Sequence, residues 1–186
     1  MTPSQHLLME AKAIRSMLKI LDVICNKLDA GETVKASHLK MIVNFLRVYV
    51  DACHNRKEEL ILFPQLEKAG VSTSKFKTLI EENELGREYL RELSKAMDHY
   101  QKGELEYRNI IKMISKQYIE LENYHLDMEN KNVIPMIKER LTDEHIRNLE
   151  DQFLAMENEE FGNDHSLQFH EAMSQVVNKL EKLYPA

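Results

Sequence analysis

His54-Asn55-Arg56-Lys57-Glu58-Glu59-Leu60-Ile61-Leu62-Phe63-Pro64 and His125-Leu126-Asp127-Met128-Glu129-Asn130-Lys131-Asn132-Val133-Ile134-Pro135 share one skeleton: histidine, three residues, acid, five residues, proline. On an α-helix, residues four apart lie one turn above each other on the same face. Each segment therefore offers an imidazole nitrogen and a carboxylate to one point, a two-ligand metal grip. Both grips continue an apolar helical stripe. Leu39, Val43 and Val50 precede the first, and Ile111, Ile114, Tyr118 and Leu121 precede the second.

The remaining pattern is helical as well. Leu7, Ala11, Ile14, Leu18, Leu21, Cys25 and Leu28 draw a stripe whose start is written as a capping box, Thr2-Pro3-Ser4-Gln5, with Gly31 just past its end. The spacing predicts a second helix from Ser37 to Gly70, disturbed at Pro64, and a third from Ser74 to Lys102, stopped by Gly103. The third carries Leu79, Asn83, Gly86, Leu90, Leu93 and Met97 on one face. A fourth runs from Glu104 past Pro135 to Leu141. Four long helices with short joints make an all-α, up-down-up-down four-helix bundle over about 3–141. The extension, 142–186, reads as an acidic helix after Thr142 and a last helix after Asp164, whose stripe of His170, Met173, Val177 and Leu180 packs outside the bundle. The run Glu157-Asn158-Glu159-Glu160 reads as a solvated helix end, and 1–186 as one domain.

Composition narrows the function. The 186 residues are 43% apolar, enough for one core, and only 5 Gly and 4 Pro argue against a many-stranded sheet. A net charge of −6 without a basic cluster disfavours nucleic acid. The first thirty residues mix acids with apolar positions, so neither a signal peptide nor a membrane span is expected. Cys25 and Cys53 are too few for a disulfide framework, and a reducing cytoplasm is the expected compartment. No glycine-rich phosphate loop, nucleophile elbow or CxxC occurs, so redox chemistry would come only through a metal, and a conventional enzyme is not expected.

In such a bundle the second and fourth helices are diagonal and parallel, so the grips face each other at similar depth. Two nitrogens from His54 and His125 with two carboxylates from Glu58 and Glu129 suit iron or manganese and also accept zinc. So much charge in an apolar seam is costly unless it is paired or binds a cation.

These residues resemble the hemerythrin-like, or HHE cation-binding, domains, four-helix bundles whose core typically holds a non-haem di-iron site. Residues 45–64, with Tyr49-Val50-Asp51-Ala52-Cys53-His54 and Phe63-Pro64, are similar to that family's second helix, and 118–135 to its fourth. The stretch Glu82-Asn83-Glu84-Leu85-Gly86-Arg87-Glu88-Tyr89 is similar to its third. The resemblance implies terminal imidazoles from His54 and His125 and bridging carboxylates from Glu58 and Glu129. It also implies further histidines on helices one and three, where this chain has Ala11 and Asn83. Three outcomes stay open: one iron on the two grips; two irons, with Glu122 the best replacement ligand and Glu10, Glu82 and Asn83 the others; or a degenerate, metal-free bundle acting as an interaction or regulatory module. The expected small partner of a metal centre is dioxygen or nitric oxide, for binding, sensing or peroxide chemistry.

Among other residues, Tyr118 reads as either a partner of the site or a core aromatic. Asp51 is the expected acceptor for the second ring nitrogen of His54. Cys53 and His170 read as core residues, His165 as part of the turn before the last helix, and His6, His38, His99 and His145 as surface residues. The ten methionines suit core filling.

Overall fold

The computed structural model describes residues 1–162 and 166–185, and every regular element among them is helical. Helix α1 is Pro3–Asp29, with the Thr2/Gln5 capping box formed as the sequence predicts. A second rod is composite: α2 (Ala36–Phe45), a π-helical stretch (Leu46–Asn55), a π turn (Glu58–Leu62) and α3 (Phe63–Lys68). Helix α4 (Lys77–Gln101) follows. The fourth rod joins α5 (Tyr107–Met128), a π turn (Glu129–Val133) and α6 (Ile134–Arg140). Helices α7 (Asp143–Phe161) and α8 (Ser166–Leu183) form the extension, α7 capped by Thr142. His165, expected in the turn before α8, lies outside the described residues.

Cross-helix ion pairs set the register. Arg15 meets Asp127 and Asn123, Lys116 meets Asp22 and Asn26, and Lys112 meets Asp29, so α1 and α5 are antiparallel. Likewise Lys40 pairs with Asp98, Arg87 with Asp51, and Asn83 with Glu59, which sets the second rod antiparallel to α4. Helix α1 packs on α5 and on the second rod, and α4 packs on the same two, so the second and fourth rods are diagonal neighbours. Helix α8 lies against α1, α2 and α7, with Val177 and Leu180 buried on the stripe the sequence marks.

The two π turns have one physical cause. A proline ring clashes with the carbonyl four residues back and has no N–H to donate. For Pro64 and Pro135 those carbonyls belong to Leu60 and Lys131, in the middle of the π turns. Widening the ladder there relieves the clash, and the amide after each turn bonds five residues back, Phe63 to Glu58 and Ile134 to Glu129. Each turn begins at the grip acid. The four-apart α-helical spacing holds from His125 to Glu129, whereas in the second rod the backbone leading into His54 is π-helical, and its buried face takes in Cys53, His54, Lys57 and Glu58 together.

The apolar core is split in two. One cluster gathers Ile14, Leu18, Phe45, Leu93, Ile111 and Leu126 with α8, and the other gathers Leu7, Leu62, Phe63, Leu66, Phe76, Val133 and Phe153. Between them lies a layer of charged side chains. No helix of the described residues is long and apolar enough to cross a membrane.

Candidate metal centre

Glu10, His54, Glu58, Glu122, His125 and Glu129 are all buried, with Glu10, His54 and Glu58 at 0% exposure. His54, Glu58 and Glu129 each turn one ligand atom into a set lying within 4.8 Å of one another. Glu129 stands between the imidazoles, its Oε2 3.3 Å from His54 Nε2 and its Oε1 2.5 Å from His125 Nε2. The second contact is close without the alignment of a hydrogen bond, since neither atom has a hydrogen-bond partner. Both oxygens of Glu58 and Oε1 of Glu122 are also buried without one. The buried oxygens of Glu58 and Glu122, without a hydrogen-bond partner beside the ion pairs of Glu129 with His54 and His125, fit a cation, because leaving a buried polar atom unsatisfied costs on the order of 1–3 kcal/mol.

The far nitrogens of both imidazoles are held from behind. His54 Nδ1–H donates to Glu10 Oε2 at 3.0 Å, and His125 Nδ1–H donates to Glu82 Oε2 at 2.9 Å. A carboxylate there fixes the tautomer and leaves Nε2 turned to the seam, the usual support for a metal-bound histidine. Glu10 and Glu82, weighed from sequence as replacement ligands, thus stand behind the histidines. Asp51, expected to support His54, is engaged elsewhere: it accepts from Arg87 Nε at 2.6 Å. Asn83 is buried but its amide donates to Glu59 Oε1 at 2.7 Å, away from the seam, and Ala11 packs against the apolar core.

The electrostatics follow from this crowding. Burial alone would push His54 and His125 down, but Glu129 chiefly, with Glu10 and Glu82, holds both well above the ordinary histidine value. Burial raises Glu129 less than His125 and His54 lower it, so it stays ionised. Burial and the neighbouring Glu129 push Glu58 well above the carboxylate range. Glu122 is pushed up to about 7, again by burial. It lies beside Tyr118 at Gly86: a methyl added to that glycine would sit 3.6 Å from Tyr118 Cε2 and 4.0 Å from Glu122 Oε2. Tyr118 is thus a buried aromatic beside Glu122, as its reading as a core aromatic expects.

Several single-residue readings are corrected. Glu157 is fully buried, not part of a solvated end, because α7 lies across α1 and the second rod. It gathers His6, Lys57 and His170 into a second cluster that sequence spacing cannot show, since its members come from four distant segments. His6 is half-buried there. His38 is half-buried with its Nδ1 2.6 Å from the Tyr184 hydroxyl, while His99 stays at the surface as expected, its side chain 39% exposed, stacked on Tyr107 and bonded to Glu104. His145 completes the cap of α7. Cys53 is a buried free thiol, as expected.

No curated protein and no solved structure matches the chain. The hemerythrin HHE cation binding domain family matches over residues 2–137, the stretch that holds α1 to α5, the start of α6 and both grips. The chain belongs to the hemerythrin HHE cation-binding domain family.

Proposed function

We propose that this protein binds non-haem iron in the bundle core, one or two ions, through His54, Glu58, His125 and Glu129, with Glu122 completing the set beside His125. The observation that supports this most is the burial of His54, Glu58 and Glu129 with one ligand atom each within 4.8 Å of one another, Glu129 reaching the two imidazoles with separate oxygens. Manganese or zinc would satisfy the same donors. Iron with an open position would supply reversible binding of dioxygen or nitric oxide, or reaction with peroxide. The side chains divide the remaining work. Glu10 and Glu82 orient the imidazoles, and the two apolar clusters keep bulk water from the layer. A cytoplasmic setting without a nucleic-acid or membrane partner agrees with the charge and composition.

The test is anaerobic loading with ferrous iron, elemental analysis and absorption spectra before and after air. One or two irons per chain are expected, with near-ultraviolet bands appearing on oxidation. His54→Ala and Glu129→Ala should each remove most of the iron and keep the helicity. Iron at the wild-type level in both variants refutes the assignment, and no iron on the folded wild type hands the argument to a metal-free interaction module.

A further inference from the structure

On the far side of Glu10 from His54, the Lys57 ammonium is buried at 0% exposure and ion-paired to both Glu10 Oε1 and Glu157 Oε1. His6 Nε2 lies 3.4 Å from that ammonium, and His6 and His170 each place Nε2 3.1 Å from Glu157 Oε1. The Tyr49 hydroxyl holds the other nitrogen of His170 at 3.1 Å, and the Phe153 ring stands 5.7 Å from the ammonium. His6, Glu10, Glu157 and His170 turn one ligand atom each into a set within 4.8 Å of one another, a coordination shell of two nitrogens and two oxygens. The layer-long chain of contacts runs His54, Glu10, Lys57, Glu157, His170, from the core grip to α8. Its last two members lie beyond residue 137, outside the stretch that matches the family.

We propose that this cluster is a second cation site, separate from the core grip, whose resident cation is the Lys57 ammonium, and that it holds Glu10 against His54 so that α7 and α8 support the metal centre. With neutral imidazoles the two carboxylates outweigh one ammonium by a single charge. A divalent ion in its place would balance them fully, and the mixed nitrogen and oxygen shell suits zinc or ferrous iron. A surface depression lined by Pro3, His6, Glu150, Asp151 and Phe153 reaches His6, whose side chain keeps 18% exposure, so an ion has a way in. The support of His54 rests on the proposed metal function, whereas the cation site does not.

Lys57→Ala tests the cation site. The variant should melt below wild type without zinc, regain its Tm with zinc, and bind one more zinc ion than wild type. The extra ion should vanish in Lys57→Ala/His170→Ala. Zinc stoichiometry equal to wild type on a folded Lys57→Ala protein overturns the site, and should that variant fail to fold even with zinc, the site is equally refuted.

Glu157→Gln tests the support. It keeps the shape and lies outside the core grip, yet should weaken cobalt binding in the core by about tenfold, shift the cobalt absorption bands and leave helicity unchanged, with Glu157→Asp recovering part of the loss. Unchanged affinity and bands overturn the support. If wild type binds no metal in its core, the proposed function fails on its own. The support is then read from the ring-nitrogen NMR resonances of His54, which Glu157→Gln should move and which, unmoved, refute it.

Discussion

Replacing Glu122 by glutamine should make the metal-free protein more stable at alkaline pH and the metal-loaded protein weaker. The carboxyl is 4% exposed, and its folded value is pushed from 4.5 up to about 7, by burial first and by Glu129, against the lowering pull of His125. A carboxyl raised in this way stays protonated in the fold while the unfolded chain has already released its proton. Stability is therefore lost as pH climbs from 4.5 to about 7. At about 1.4 kcal/mol per pH unit, carrying the charge at pH 8 costs about 3 kcal/mol. Glutamine has nearly the same shape and no charge, and the desolvation of its amide trims the gain to about 2 kcal/mol. Urea unfolding of the metal-free wild type and Glu122→Gln, at pH 5 and pH 8, measures the difference directly. The gap should be near zero at pH 5 and about 2 kcal/mol in favour of the variant at pH 8, because every other titrating group appears in both proteins. Adding ferrous iron should reverse the sign, since a cation then offsets the charge that glutamine lacks. A gap that does not change between the two pH values refutes the reasoning about burial, whatever the metal result.

The core imidazoles give a second pH signature. His54 and His125 are held well above their ordinary value of 6.5, so their contribution to the metal-free fold is complete below that pH and fades as pH rises through their elevated folded values. A metal must displace those protons; loading near neutral pH should release one to two protons per ion, counted with a pH indicator in weak buffer, and release of none contradicts the ligand roles. Pro135→Ala should let the π turn Glu129–Val133 relax toward α-helix, turning Glu129 relative to His125. Metal affinity should fall by tenfold or more while the urea midpoint stays level or rises; unaltered affinity would mean that the proline does not set the position of the acid.

The helices and the grips were legible in the sequence because their signals are local. An apolar stripe at helical spacing, a capping box at Thr2-Pro3-Ser4-Gln5 and the doubled His-to-Glu-to-Pro skeleton all lie within a few turns of chain, where periodicity carries the information. Even the π turns have a local cause in Pro64 and Pro135, although periodicity alone does not announce them. Only the tertiary structure decided which groups stand behind the ligands. Glu10 rather than Asp51 supports His54, Glu82 supports His125, and Asn83 turns to Glu59 instead of the seam. Nothing in the spacing distinguishes Glu157 from its exposed neighbours, and nothing near Lys57 marks it as a buried cation. Those assignments depend on how α7 and α8 fold back over α1 and the second rod, bringing segments more than a hundred residues apart within a hydrogen bond's reach of one another. Sequence periodicity tells each residue which face of its own helix it occupies; charge pairing in a dry interior, which is a property of the packed whole, tells it whom it meets.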